Sequence, residues 1–217
     1  MSYRFGEVAF TPAVKALQEE RGSRASYARL EAGPPRGDRF GPDERAFIEA
    51  RDGFYLATVS ETGWPYVQFR GGPPGFLRVL DEHTLGWADF RGNRQYVSVG
   101  NLRGDDRVAL ILMDYASRRR LKVLGHAETI ELPPSTGAGA ATAPREDLAA
   151  RLAVPGYDAA IERAMRVRVV AFDWNCPQHI TPRFTLEEVE RAVTPLRERV
   201  AELERRLASC EARATKE

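Results

Sequence analysis

The stretch Trp87–Leu102, WADFRGNRQYVSVGNL, combines the signals of a strand end, a turn and a helix start. Residues 84–90 (TLGWADF) have the β-branched and aromatic content of a strand, and the Gly-Asn pair at 92–93 is a turn signal. The spacing that follows predicts a helix carrying Arg94 and Gln95. A helix N-terminus presents free backbone N–H groups and the positive end of the helix dipole, which favour an anion, above all a phosphate.

A second arginine, Arg70, lies in the segment QFRGGPPGF, where the preceding predicted strand ends. Arg70 and Arg94 thus both stand close to glycine at the end of a strand. Taken singly, each is equally well explained as a partner in a surface salt bridge. Taken together, they predict a phosphate clamp and therefore a phosphorylated cofactor.

The composition excludes several classes of function. The 217 residues include 32 basic and 31 acidic side chains, and this near-neutral balance argues against a nucleic-acid partner. No apolar run approaches the roughly 18–20 residues that cross a bilayer, so no membrane partner is expected. The N-terminus lacks the features of a signal peptide, which predicts a cytoplasmic protein. Two cysteines and three scattered histidines suggest neither a disulfide framework nor a metal site.

The pattern of short apolar segments predicts a mainly β protein of the α+β class. Short strands with one helix inserted after the fourth or fifth strand are typical of a small antiparallel barrel, with flanking helices, rather than a βαβ sheet. The predicted strands span residues 53–60, 65–71, 76–80, 84–90, 107–115, 119–132 and 164–174.

The chain is expected to divide into three parts: an N-terminal arm (1–41), a barrel domain (42–183) and a helical tail (184–217). The arm is predicted to hold a short helix after Thr11-Pro12 and an extended linker over 29–41. The barrel domain is predicted to open with a helix over 42–51, which has proline in its first turn.

Two further segments interrupt the strand pattern. Residues 133–144 (PPSTGAGAATAP) have the composition of a flexible surface excursion. Short helices are predicted to follow it, over 145–153 and 157–163.

The tail has helical periodicity, with a capped start expected at Thr194-Pro195. Apolar residues recur at alternating spacings of three and four, as in the seam of a coiled coil or of an amphipathic helix. Docking on the same subunit and pairing with a second subunit are equally compatible with this pattern. The seam consists of Val193, Leu196, Val200, Leu203, Leu207 and Cys210.

The order of these elements resembles the pyridoxamine 5′-phosphate oxidase-like family of FMN-binding split barrels. The resemblance covers residues 42–183 and rests on GFYLATVSETGWPYVQFRG, ADFRGNRQYVSVGNLRGDDRVALILMD and the strand that ends in FDWNCPQHI. It implies a split β-barrel that binds FMN. Arg-Gly after the second strand combined with Gly-Asn-Arg-Gln after the fourth is more specific than either motif alone.

The resemblance also implies roles for individual residues. Arg70, Arg94 and Gln95 would hold the FMN phosphate, although the family has a lysine where this chain has Gln95. The site would be completed by backbone near the flavin edge, by a cation on the sixth strand and by a tryptophan from the second subunit. Because that tryptophan comes from another copy of the chain, the resemblance implies a homodimer. The cofactor-binding residues expected on this basis are Arg70, Gly71, Ala88, Asp89, Asn93, Arg94, Gln95, Arg120 and Trp174.

Departures from the family pattern bear on the substrate. The true oxidases carry a lysine where this chain has GGPPG, and an Arg-x-His pattern after the late tryptophan. Here His179 and Arg183 follow Trp174 at a different spacing. Pyridoxamine phosphate oxidation is therefore not expected. His179 is a weak candidate for a proton donor, and a histidine hydrogen-bonded at a strand end explains it as well.

Three functions are compatible with these observations. The first is an FMN-dependent oxidoreductase that acts on an unidentified small molecule, with the flavin supplying the chemistry. The second is a flavin-binding carrier or redox-sensing module without turnover. The third is a haem-handling split barrel, which would require His83, His126 or His179 as an axial ligand.

Overall fold

The computed structural model describes residues 3–132, 143–174 and 178–214. The chain divides into two compact units, of which the first comprises residues 1–114 and 119–178. The second unit comprises residues 115–118 and 179–217. Residues 133–142 of the predicted surface excursion, and Cys176, lie outside the described part of the chain.

Seven strands of the first unit form one antiparallel sheet with the order β2-β1-β5-β6-β7-β4-β3. The predicted α+β fold with an antiparallel split barrel is confirmed, and the strand bounds agree closely with those expected from the sequence. The strands are β1 (Gly53–Val59), β2 (Pro65–Gly71), β3 (Leu77–Asp81), β4 (Thr84–Phe90), β5 (Arg107–Asp114), β6 (Arg119–Glu131) and β7 (Ile161–Trp174).

Alternating side chains explain why these segments form strands around one core. In β1, Phe54 and Leu56 are buried while Tyr55 between them is exposed, which is the period-two pattern of a sheet with one covered face. The Phe54 ring lies edge-on to Trp87 of β4 at 5.1 Å and stacks on Phe76 at 5.9 Å. Aromatic contacts across the interior thus bring β1 and β4 together, although the sheet order does not make them neighbours.

A β-bulge shapes the two longest strands. The register between β6 and β7 shifts between Leu124 and Gly125, and a Cβ atom at Gly125 would lie 2.5 Å from the Arg168 carbonyl oxygen. Glycine is required there because the two backbones approach too closely for a side chain. The extra residue of the bulge is Val170 in β7, just beyond residues 161–168 of β7 that pair with β4.

Helices flank the sheet and connect its strands. The helix predicted over 42–51 is observed over Pro42–Glu49, with Phe47 and Ile48 buried in the core. The helices of the first unit are α1 (Tyr3–Ala9), α2 (Pro12–Glu20), α3 (Arg24–Glu31), α4 (Pro42–Glu49), α5 (Val97–Asn101) and α6 (Ala143–Leu152).

Several expectations for local structure need correction. The segment expected to be an extended linker begins within α3, which ends at Glu31, while residues 32–41 form neither helix nor strand. No helix forms over residues 157–163, because Ile161 already pairs with Phe90 at the start of β7. Ala143 and Pro144, assigned by composition to the surface excursion, belong to α6. In the second case, sheet pairing overrides a weak local helical preference.

The helix expected to carry Arg94 and Gln95 starts later than the sequence predicts. Arg94 and Tyr96 both have left-handed backbone conformations, with φ values of 62° and 55°, and α5 begins only at Val97. A chain with these two φ values cannot continue a right-handed helix. Arg94 and Gln95 therefore lie in the loop between β4 and α5.

The second unit contains one long helix, α7 (Leu186–Ala214). The expected start at Thr194-Pro195 is wrong, because Pro195 lies inside the helix. The N-terminus is capped instead by Thr185, whose Oγ1 accepts a hydrogen bond from the Glu188 N–H at 3.2 Å. Glu188 in turn accepts one from the Thr185 N–H at 2.7 Å, which completes a capping box. No described helix has the length and apolar content needed to cross a membrane.

Candidate functional site

A cavity of about 210 Å³ lies where the end of β2, the end of β4 and the loop before α5 meet. Two predicted phosphate ligands, far apart in sequence, reach it from different elements: Arg70 from β2 and Arg94 from the loop. The predicted site residues that line the cavity are Arg70, Asp89, Asn93, Arg94 and Gln95.

Arg70 projects from β2 into this cavity and is largely buried. Its side chain is 19% exposed, and its Nη1 lies 3.1 Å from Oδ1 of Asp89. The Nε atom is buried and has no hydrogen-bond partner within the described part of the chain. A buried donor without a partner is costly, so this side chain fits an anionic ligand that would accept the remaining hydrogen bond.

Asp89, in β4, lies between two arginines. Its other oxygen, Oδ2, accepts a hydrogen bond from Arg163 Nη1 of β7 at 3.1 Å. Burial raises the pKa of the Asp89 carboxyl, while the nearby Arg70 and Arg163 guanidinium groups oppose that rise. The cavity floor therefore holds one buried carboxylate between two cations.

Hydrogen bonds order the loop between β4 and α5. The Asn93 side chain accepts a hydrogen bond from the Gln95 N–H at 3.2 Å, which is a turn formed by an asparagine side chain. Arg94 Nε donates to the Tyr96 hydroxyl at 3.2 Å, and that hydroxyl donates to Glu162 Oε1 at 3.1 Å. This chain fixes the Arg94 guanidinium at the cavity although Arg94 itself is exposed.

Four residues that contribute hydrogen bonds or charge to the site were not predicted, and the lining also includes Phe90, Gly92 and Val99. Gln68 lines the cavity and accepts a hydrogen bond from Ser98 Oγ at 3.1 Å; its position two residues before Arg70 places both on one face of β2, a signal available in the sequence. Tyr96, Glu162 and Arg163 had no such signal. The last two fell in a segment predicted to be helical, and only strand pairing brings them to β4.

Several predicted ligands do not line this cavity within one chain. Ala88 is buried in the core, and Gly71 and Arg120 are outside the lining. Trp174 ends β7 and packs edge-on against Phe47 at 4.7 Å. Its indole Nε1 donates to Glu44 Oε1 at 2.9 Å. The Trp174 ring is thus held against α4 of its own chain.

The histidines are engaged elsewhere or lie in the second unit. His83 Nδ1 is 2.7 Å from the Asp38 carbonyl oxygen, and His126 Nδ1 is 2.8 Å from Asp106 Oδ1. His179 belongs to the second unit and has a left-handed backbone, with φ of 62°. Across the described residues, no cluster of three or more histidine, cysteine or acidic side chains could hold a metal ion.

Comparison with solved structures gives matches of low sequence identity. A proposed pyridoxamine 5′-phosphate oxidase of Lactobacillus delbrueckii is 19% identical with a TM-score of 0.45, over 63% of this chain and 94% of that protein. HupZ of Group A Streptococcus is 14% identical with a TM-score of 0.44, over 67% and 99%. An FMN-binding protein of Syntrophomonas wolfei is 12% identical with a TM-score of 0.41, over 76% and 97%.

The sequence itself matches a known family. No curated protein matches the chain, but the family model for pyridoxamine 5′-phosphate oxidase matches residues 40–171, more than half of the sequence. The matched segment includes both strand ends and the loop that form the cavity. This chain therefore belongs to the pyridoxamine 5′-phosphate oxidase family.

Proposed function

We propose that this protein is a flavoprotein that binds FMN, with the FMN phosphate in the cavity between β2, β4 and the loop before α5. Family membership supports a flavin ligand. The observation that carries the proposal is the convergence of Arg70, with its unpartnered buried Nε, and Arg94 on one cavity. A guanidinium fork is well suited to a phosphate because it offers several donors in one plane.

Each residue of the cavity would have its own role in binding a phosphate. Arg70 would supply Nε from the floor, and Arg94 would close the open side. Asn93 would keep the loop in its turned conformation through its hydrogen bond to the Gln95 N–H. The adjacent Asp89 already neutralises part of the charge of Arg70 and Arg163, so the site would bind a phosphate without a large surplus of buried positive charge.

We propose further that the protein is an FMN-dependent oxidoreductase acting on an unidentified small molecule. Bound FMN supplies hydride or electron transfer through its isoalloxazine ring. The departures at GGPPG and around His179 argue against a pyridoxamine phosphate oxidase.

The outer face of the sheet supports a homodimer. Tyr55, Val67, Phe69 and Ile111 form an apolar patch across β2, β1 and β5, with exposed fractions from 39% to 61%. Phe69 and Arg70 project from opposite faces of β2, but β2 is an edge strand of the sheet, so a partner on this patch would also lie near the end of β2 that holds Arg70. An exposed apolar patch of this kind is typical of a protein–protein interface. We therefore propose that a second copy of the chain covers this face and part of the flavin.

The second candidate function is a flavin carrier or redox sensor without turnover. The ionisable residues around the cavity pair with one another: Asp89 with Arg70 and Arg163, and Glu162 with Tyr96. None of these groups is placed to exchange protons freely with a substrate. Turnover with added reductant and candidate acceptors would separate an oxidoreductase from a carrier.

The test of the proposed function is a flavin titration of the apo-protein with FMN, riboflavin and FAD. We expect FMN to bind tightest, with absorption bands at roughly 370 and 450 nm that belong to the flavin itself. Arg70→Ala should weaken FMN binding and leave riboflavin binding unchanged, because riboflavin lacks the phosphate. Arg39→Ala is the control, since Arg39 pairs with Glu82 on the surface.

Three results would contradict the proposal. The first is no flavin binding at all, and the second is riboflavin binding as tightly as FMN. The third is a Soret band in the purified protein, which would favour the haem-handling alternative.

A further inference from the structure

Helix α7 presents an apolar stripe to solvent along its whole described length. The most exposed apolar side chains of the helix have exposed fractions between 46% and 90%. They are Leu186, Val189, Leu196, Val200, Leu203 and Leu207. An isolated helix gains nothing from exposing such a stripe. Together with Val193 and Cys210, these residues recur at spacings of three and four without a break from 186 to 210.

The stripe fits a heptad repeat with one register. Val193, Val200 and Leu207 occupy the a positions of the last heptads, and Leu196, Leu203 and Cys210 occupy the d positions. Valine at a with leucine at d favours two-stranded parallel coiled coils over higher oligomers. The repeat therefore indicates a partner helix of the same kind.

Charged residues beside the stripe select the orientation of that partner. Arg199 occupies a g position, and Glu204, five residues later, occupies the following e position. In a parallel, in-register pair, each g residue faces the e residue five positions later in the other helix, so Arg199 meets the partner's Glu204. In an antiparallel pair, g faces g, which would bring Arg199 and Arg206 of one helix against the same arginines of the other.

Of the two charges needed for this pairing, Glu204 has no ion-pair partner among the described residues, and Arg199 makes only a surface contact. Neither Glu204 nor Arg206 forms an ion pair among the described residues. Arg199 contacts Glu202 at 2.5 Å on the exposed surface of the helix, an interaction that is worth little in water. Pro195 lies inside α7 at a c position, so its ring points away from the seam.

We propose that α7 forms a parallel, in-register, two-stranded coiled coil with α7 of a second copy of this chain, in which the Cys210 side chains face each other. The proposal goes beyond flavin binding and does not depend on it. A parallel pair has its two-fold axis along the coiled coil, which is compatible with a two-fold dimer of this chain. Such a dimer would also raise the effective concentration of the two helices, which matters because short coiled coils are weak alone.

Disulfide formation at Cys210 tests the arrangement directly. Helices packed 8–10 Å apart bring facing Cα atoms to roughly 4–6 Å, within the range that a disulfide spans. Full-length Cys176→Ser protein would be treated with diamide, which accepts the two electrons and two protons released when two thiols form one disulfide. We expect most of the protein to migrate as a covalent dimer without reductant.

A matched variant moves the thiol by one residue. In the Cys176→Ser, Cys210→Ser background, Ser209→Cys places the thiol at an outward c position. We expect it to form a dimer at least about tenfold more slowly, because outward positions lie beyond the reach of a disulfide. Equal rates for the two thiols, or no covalent dimer through Cys210, would overturn the proposal.

Charge substitutions separate the two orientations. Glu204→Arg should slow the formation of the Cys210 disulfide, since it places two arginines opposite each other, and adding Arg199→Glu should restore the rate. If Arg199→Glu alone strengthened the dimer, the parallel arrangement would be wrong. These measurements report only on the pairing of α7, so their outcome does not depend on whether the protein binds flavin.

Discussion

At the scale of single residues, Asp89 governs the charge of the cavity. This carboxylate is 6% exposed and contacts Arg70 and Arg163 at 3.1 Å each. Burial nevertheless raises the pKa of Asp89. The unfavourable loss of hydration of the carboxylate therefore outweighs its favourable interaction with the two arginines. A phosphate that enters the same cavity would add a further negative charge close to this carboxylate.

Replacing Asp89 by the isosteric asparagine is therefore expected to favour phosphate binding. Asp89→Asn should tighten FMN binding by about 1–2 kcal/mol, because it removes a like charge near the phosphate. Its thermal stability at neutral pH should change little, because the substitution removes the desolvation cost that raises the pKa of Asp89 together with the ion pairs to Arg70 and Arg163. Fluorescence titration with FMN and thermal melts of the apo-protein would measure both effects.

The same substitution predicts a pH dependence with a definite sign. A carboxyl whose folded pKa is raised stabilises the fold most when protonated, and that contribution is lost as the pH rises through the folded pKa. The differences in stability and FMN affinity between Asp89→Asn and the wild type should therefore shrink as the pH falls below that value. Weaker FMN binding by the variant at neutral pH would instead show that Asp89 is needed to orient Arg70.

Arg94 provides a second test at this scale. Arg94→Ala should weaken FMN binding by roughly 1.5–3 kcal/mol, the range expected when one set of charge-assisted hydrogen bonds is lost. Arg103→Ala is a suitable control, because Arg103 is an exposed arginine outside the cavity lining. Equal FMN affinity in Arg94→Ala and wild type, measured by titration of apo-protein, would remove Arg94 from the site.

At the scale of elements, β7 builds the site because it lies between β6 and β4 and pairs with both. β7 pairs with β6 along its length and with β4 over its first half. That second pairing places Arg163 directly opposite Asp89. The site therefore depends on the position of β7, which also packs closely on β6 at Gly125.

A pair of glycine substitutions tests the close approach of β6 and β7 at Gly125. Gly125→Ala should lower the free energy of unfolding by about 1–3 kcal/mol, because its Cβ would lie 2.5 Å from the Arg168 carbonyl oxygen. Gly100→Ala, within α5, is the control. No atom lies within 4 Å of a Cβ there, so stability should stay the same or rise by up to about 1 kcal/mol. Urea unfolding of both variants would measure the difference, and equal stability would contradict the steric account.

At the scale of the whole molecule, family membership leaves the substrate open. The chain matches the pyridoxamine 5′-phosphate oxidase family over residues 40–171, yet it lacks the lysine expected where GGPPG stands. We expect no useful oxidation of pyridoxamine 5′-phosphate. A steady-state assay of the FMN-loaded protein that gave an ordinary turnover, above roughly 1 s⁻¹, would contradict this expectation.

Assembly gives a second prediction at this scale. Deleting the residues after Pro195 should weaken the proposed homodimer only modestly, because the sheet face around Phe69 would carry most of the buried area. Sedimentation of the full-length and truncated proteins across a concentration series would measure the change. Monomers from truncation alone would make α7 the main dimerisation element, and a flavin-bound full-length monomer would contradict the two-chain site.

The sequence by itself determined the strands, the antiparallel fold class and five of the residues that line the cavity. Alternation such as that of Phe54, Tyr55 and Leu56 is a local property, because successive side chains of a strand point to opposite faces. The turn at Asn93 is local as well. Signals of this kind lie within a few neighbouring residues and can be recognised without knowledge of the remaining chain.

Only the tertiary structure decided how those residues meet. Left-handed backbone at Arg94 and Tyr96 delays α5 until Val97, and sheet pairing turns a segment with helical preference into the first residues of β7. Arg163 reaches Asp89 through that pairing. Contacts between distant strands depend on the registers of several ladders at once, and no short stretch of sequence contains that information.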